Sequence, residues 1–203
     1  MRLKNTSMAK NQPRLQVLIY PALQFFDQNL PSNLNPGLQI FYFGRPGLVL
    51  QLYLNKSISD DISTNNHTSV IQKQTYRRWI DWSMIPDRYR QIYKEPSNDH
   101  VDGNPTLIEN CKQALHSDVS PLLVDDDQLS SLPPTYILTV GHDRLRDQGF
   151  IYSERLKRNG VNIVHRHYEN TFHGSLTFLD GPFELEIAHE MLDDIVHYLK
   201  ENL

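Results

Sequence analysis

The chain has 203 residues, with 20 basic and 24 acidic side chains for a formal net charge of -4, and a mean hydropathy of -0.51 with 39% hydrophobic residues. That length suits one domain, or part of one, with a real core; a pI near 6.1 and short, interrupted basic clusters at Arg77, Arg78, Arg88 and Arg90 argue against a nucleic-acid partner. Cys111 is the single cysteine, which excludes an internal disulfide and a cysteine-built zinc site.

From the N-terminus, the string "MRLKNTSMAKNQPRLQ" is basic but lacks the apolar centre of a signal peptide, and no run reaches the ~18 apolar residues of a spanning helix, so the chain reads as soluble. The first strand is predicted in "LQVLIYP", Leu15 to Pro21, a continuous aliphatic run of the kind found in parallel sheets covered on both faces. Next comes "LQIFYFGRPGLVLQLYLN", Leu38 to Asn55, broken by Gly44, Arg45, Pro46 and Gly47. It reads as two short pieces meeting at a turn, in a buried or lipid-facing lid segment. The whole stretch 35–117 has no strand pattern and is rich in Tyr, Trp, Asn and Pro. It is expected to be a helical lid insertion folded over the sheet edge. Within it, "IQKQTYRRWIDWSMI" is helix-like, and Trp79 and Trp82, three apart on one helical face, read as lid core rather than a ligand-stacking pair. N-x-S/T triplets at Asn5, Asn55 and Asn66 permit a lumenal address without arguing for one.

A second strand is predicted in "TYILTVG", Thr135 to Gly141. The following "RDQGFIYSERLKRNG" reads as a helix capped by Asp147, with Phe150, Ile151 and Leu156 inward and a stop at Lys157, Arg158 and Gly160. A third strand, "VNIVHRHYE" from Val161 to Glu169, alternates more clearly and is expected near a sheet edge, completing a β-α-β unit. The C-terminal segment recurs at helical spacing through Ala188, Leu192, Ile195 and Leu199, with Pro182 near its start. It is predicted to be an amphipathic helix packed on the sheet.

Two residues stand where parallel sheets collect their chemistry. Asp143 follows the second strand directly, and His173 in "ENTFHG" follows the third by a short loop; the carboxyl ends of strands are where ligands and catalytic groups gather. They lie 30 residues apart (173 minus 143), room for one helix and one strand, so the strand ends fall side by side. An aspartate there can accept a hydrogen bond from the imidazole and fix its tautomer.

The strings "LIYPALQ" with a following "LPS", "WIDWSMIP", "SPLLVDDDQLSSLPPTYILTVGHDRLRDQG", "ENTFHG" and "YLKENL" resemble the C-terminal half of α/β-hydrolases of the hormone-sensitive-lipase branch, near arylacetamide deacetylase and its relatives. The likeness runs from about Leu15 to the end and is weakest over 35–70. It implies an α/β class, the last three parallel strands of an α/β-hydrolase sheet with flanking helices. In that family the first aspartate of D-x-L-R-D is the triad acid and the histidine of F-H-G the triad base, which correspond to Asp143 and His173. It implies a serine carboxylesterase or lipid-ester hydrolase acting on lipid esters or arylamides, without metal or organic cofactor.

The pattern is incomplete. The family's nucleophile lies in a G-x-S-x-G elbow and its oxyanion glycines in an earlier H-G-G-G string, and neither string occurs here. Ser7, Ser32, Ser57, Ser59, Ser63 and Ser69 lack elbow glycines, and Ser175 sits two residues past the histidine. Since the triad runs serine, aspartate, histidine along this fold, the chain is expected to be the C-terminal part of one domain over 1–203, with "RLKN" as the tail of the nucleophile helix. Its first strand would then be an exposed apolar edge and the isolated chain poorly stable. Resemblance also points to the lumenal side of the endoplasmic reticulum membrane, with attachment through the absent half. The competing reading is a non-catalytic truncated isoform or pseudogene product that binds lipid or a partner. An aspartate nucleophile is a weaker third, since it too would belong to that half.

Overall fold

The protein is seen here as a computed structural model describing residues 13–35, 37, 46–58, 60–95 and 100–203. The "RLKN" string, Asn5, Ser7, Ser59 and the apolar piece at 38–45 lie outside the described residues.

Three parallel strands form one sheet in chain order: β1 (Gln16–Ile19), β2 (Thr135–His142) and β3 (Ile163–Phe172). β2 lies in the middle, and every residue of it except His142 is buried, as its run of β-branched and aliphatic residues leads one to expect. Its side chains alternate between faces. Ile137 packs with Ile151, Tyr152 and Leu156, whereas Tyr136, Leu138 and Val140 pack with Ala188, Met191, Ile195 and Tyr198. The result is helix, sheet, helix in three layers.

Eight α-helices surround the sheet among the described residues: α1 (Pro31–Leu34), α2 (Pro46–Leu54), α3 (Val70–Tyr76), α4 (Asp87–Arg90), α5 (Pro105–Cys111), α6 (Asp126–Leu129), α7 (Arg146–Arg158) and α8 (Glu186–Asn202). α7 covers one face and α8 the other. Asp147 does not cap α7, contrary to expectation. Leu145 is the N-cap and makes no side-chain bond, while the Asp147 carboxylate, fully buried, accepts from Arg146 Nε at 2.9 Å and from the Ser32 amide at 2.6 Å. It fastens α1 to α7 instead, and its burial raises its pKa. Phe150 turns toward the sheet edge, stacked on Tyr89 at 5.5 Å, while Ile151 and Leu156 are fully buried.

On α8 the buried stripe is Ala188, Met191, Ile195 and Tyr198. Leu192, expected inside, is exposed, because the helix is rolled so that the 191/198 side of the apolar arc meets β2. The start of α8 at Glu186 also lies beyond Pro182, which belongs to the preceding turn.

Between β1 and β2 the expected long helix is broken. α3 stops at Tyr76, and Trp79 and Trp82 sit on separate 3-10 turns, Arg77–Trp79 and Trp82–Met84. They therefore do not share a helical face. Both are buried with Ile80, Ile85 and Leu23 against Ile151 and Leu156, so this part of the segment belongs to the main core. A separate small cluster joins Leu50, Ile58, Ile62, Leu107, Cys111 and Ala114. Helix α2 begins at Pro46, earlier than a break through Gly47 allows, because proline is well suited to the first helical position. It buries Leu50 and exposes Leu48, Val49, Leu52 and Tyr53. No helix of the described residues is long and apolar enough to cross a membrane.

Candidate active site

The site arises from an irregularity in β3. Up to Val140 the two strands run in register with an offset of 28 residues, Val140 opposite Tyr168; beyond it the offset is 30, His142 opposite Phe172. β3 has thus taken in two extra residues, a bulge that bends the strand and re-aims the residues beyond it. Asp143 and His173, one residue further along each strand, share the new offset. The short loop expected before His173 is replaced by strand: β3 continues through Phe172, and the His173 amide donates to the His142 carbonyl at 3.3 Å. Glycine at 141 makes the bulge feasible. A Cβ there would lie 1.9 Å from the Glu169 carbonyl oxygen, a backbone atom that cannot rotate away. A glycine inside a strand pattern is a known sign of such close approach, so "TVGHD" carried this information.

His173 Nδ1 donates to Asp143 Oδ2 at 3.0 Å, which fixes the proton on Nδ1, since a carboxylate only accepts. Asp143 Oδ1 is held by the Leu145 amide at 2.9 Å, and its side chain is 4% exposed against 45% for His173. The acid is anchored and the ring reaches solvent. Nε2 of His173 has no partner among the described residues. The bond to Asp143 raises the His173 pKa above 6.5, against the lowering effect of burial. Gly174, at φ +88, follows at once and turns the chain in the left-handed region that glycine enters without strain.

Tyr20, at the end of β1, packs its ring 5.0 Å from the His173 ring. Its φ of 49 is rare for a bulky residue. The Tyr20 hydroxyl accepts from the Leu176 amide at 3.2 Å and lies 3.3 Å from Ser175 Oγ. No spacing rule flags such a residue; only tertiary structure brings it to the histidine.

Two of the described serines are buried and hydrogen-bonded away from this ring. Ser175 is fully buried beside the Tyr20 hydroxyl. Ser32 is fully buried and donates to the Arg144 carbonyl at 2.7 Å. A cavity of about 400 Å³ lies elsewhere, lined by Gln16, Leu18, Leu23, Tyr53, Pro121 and Tyr152. Neither Asp143 nor His173 lines it. No cluster of three or more His, Cys, Asp or Glu among the described residues is arranged to hold a metal.

Residues 1–177 match the family described as the alpha/beta hydrolase fold. The chain is 34% identical to human arylacetamide deacetylase-like 2, covering 100% of this chain and 50% of the relative. To mouse neutral cholesterol ester hydrolase 1 it is 33% identical, covering 96% of this chain and 48% of that protein. It spans about half the length of the curated relatives it matches. Among solved structures, carboxyl esterase 2 of Tuber melanosporum has a similar fold with a TM-score of 0.51 at 19% identity, over 95% of this chain and 46% of the other. An esterase of Pyrobaculum calidifontis gives 0.50 at 24% identity, over 93% and 43%. With a family match over most of its length and a parallel sheet between two helical layers, the chain belongs to the alpha/beta hydrolase fold family.

Proposed function

We propose that the chain provides the acid and base of a serine ester hydrolase: His173 is the general base and Asp143 the residue that orients it. The observation that carries this reading is the 3.0 Å bond from Nδ1 to a buried, anchored carboxylate, with Nε2 left without a partner among the described residues on a half-exposed ring at the carboxyl end of the sheet. Kinship with proteins named neutral cholesterol ester hydrolase and arylacetamide deacetylase supports an ester or arylamide substrate with an apolar acyl part. Within residues 35–117, the part around α2 and α5 that packs apart from the main core acts as the helical lid over it.

No G-x-S-x-G string occurs in the sequence, so the nucleophile belongs to a segment outside this chain. Its hydroxyl gives its proton to His173 Nε2 while attacking the carbonyl carbon. The imidazolium, stabilised by ionised Asp143, then protonates the leaving alcohol or amine, and the same nitrogen activates the water that releases the acid. Kinship also supports a place at the endoplasmic reticulum membrane on the lumenal side, where the exposed Asn55 and Asn66 are open to glycosylation.

The test pairs two proteins. The 203-residue chain alone turns over p-nitrophenyl acetate no faster than buffer, because it lacks the nucleophile and the oxyanion donors. A chain extended with an upstream serine elbow is active, and His173→Ala lowers its kcat by about 10⁴-fold or more with folding intact. Retained turnover in that variant would remove His173 from the chemistry.

A further inference from the structure

Tyr20 combines three features that the chemistry above does not use. Its backbone is in the left-handed region at φ 49, although its amide still donates to the Leu138 carbonyl at 3.0 Å as a continuation of the sheet. The twist therefore falls on the one residue that leaves β1, and it directs the side chain toward the end of β3. The ring then lies 5.0 Å from the His173 imidazole at an interplanar angle of 44°. Beyond the ring, the hydroxyl accepts from the Leu176 amide at 3.2 Å and lies within 3.5 Å of Met191 Sδ. One side chain thus touches the imidazole and also ties down the 3-10 turn Ser175–Thr177 that comes after Gly174.

We infer that Tyr20 is a positioning residue for His173: its ring sets the plane of the imidazole against Asp143, and its hydroxyl holds the turn that follows the histidine. Its meaning for catalysis rests on His173 being the base, but its effect on the ring does not. A strained conformation persists only where the surrounding structure over-determines it, and here the hydroxyl contacts and the ring contact are what the conformation secures. The ring face also favours the protonated imidazole, as an aromatic quadrupole favours any nearby cation.

The test is an NMR titration of His173 in the 203-residue chain, with its signals identified by their loss in His173→Ala. Tyr20→Leu keeps apolar bulk but removes the aromatic face. The His173 pKa is expected to fall by about half a unit. Ile195→Val alters the same core cluster without removing a contact of the Tyr20 hydroxyl, and should leave the pKa in place even if it lowers stability. Tyr20→Phe keeps the face and removes the hydroxyl. Its His173 pKa stays near wild type while the Leu176 amide exchanges about fivefold faster and the Nδ1 proton resonance broadens. A folded Tyr20→Leu with an unchanged His173 pKa overturns the inference. If Tyr20→Leu does not fold, Tyr20→Phe decides: unchanged Leu176 exchange and an unchanged Nδ1 resonance overturn it, and the changes described support it. Failure of the base assignment shows separately, as retained turnover in His173→Ala of the extended enzyme, and leaves these titrations readable.

Discussion

β1 and β3 both lie at an edge of the sheet, and they are built in opposite ways. β1 has four residues, Gln16–Ile19, three of them aliphatic, and Ile19 is 38% exposed. β3 has ten, carrying His165, Arg166, His167 and Glu169, with ion pairs from Arg88 to Glu169 at 3.0 Å and from Arg166 to Asp194 at 3.4 Å. Tyr89 hydrogen-bonds both His167 and Glu169. Charge, side-chain cover and a bulge are the devices by which edge strands resist further pairing; among the described residues β3 has all three and β1 none. β3 is thus made to end a sheet, while β1 has the composition of an interior strand. The same bulge that blunts the β3 edge also delivers His173 to Asp143, so edge protection and the candidate site share one irregularity.

Breaking that irregularity should have the largest effect. Gly141→Ala places a methyl group against the Glu169 carbonyl, and the strands must separate or the bulge must move. A loss of more than about 3 kcal/mol in urea unfolding is expected, together with loss of the Nδ1 proton signal of His173. A variant of wild-type stability would mean that the close approach is relieved cheaply and the bulge is not set by Gly141.

Acid comes next. Burial lowers the His165 pKa to about 4, with His167 beside it adding to the effect, and burial likewise lowers that of His67 to about 4. Both rings are neutral when folded, whereas the unfolded chain takes up protons below about pH 6.5. Stability is therefore intact above 6.5 and declines as pH falls toward 4, by about 3 kcal/mol for each ring at most. His173 acts in the opposite sense. Its raised value means that its pairing with Asp143 contributes fully below 6.5 and is lost as pH rises through the folded value, a small contribution for a half-exposed ring. Urea midpoints measured from pH 7.5 to 4 check the net fall, and His165→Asn should make it shallower. A flat profile would contradict the burial of these rings.

The smallest change in stability, with the clearest contrast, comes from charging the two edges. Ile19→Lys should alter unfolding by no more than about 0.5 kcal/mol while reducing self-association in sedimentation, since a lysine on an edge discourages pairing. Arg166→Val should do the reverse at β3. Equal behaviour of the two variants would remove the distinction between a protected and an unprotected edge.

Much of this is legible in the sequence, for physical reasons. β2 is recognisable because a strand buried on both faces must be a continuous apolar run. Asp143 and His173 stand out because they come after such runs and match a family pattern. The C-terminal extension of β3 does not show, since "NTF" has no alternation and is strand only because the bulge re-pairs Phe172 with His142. Likewise the spacing of Trp79 and Trp82 mimics a helix, but Asp81 accepts from the Ser83 amide and hydroxyl and starts a new turn between them. The sulfur and phenol that α8 buries at Met191 and Tyr198 give way to leucines in a reading from hydropathy, which ranks Leu192 higher, while the roll of the helix decides burial. Tyr20 is out of reach altogether, its role being created by contacts 153 residues away (173 minus 20).

The most direct measurement is the imidazole pKa of His173 in the wild-type chain and in Asp143→Asn. With the carboxylate in place the bond to Nδ1 outweighs burial and the value stands above 6.5. With an amide in its place the charge and the charged acceptor are gone and burial remains, so the value should drop to 6.5 or below and the Nδ1 proton resonance should disappear. If instead His173 titrates at the same pH in both proteins, Asp143 does not govern the ring, and the account of this pair as acid and base fails.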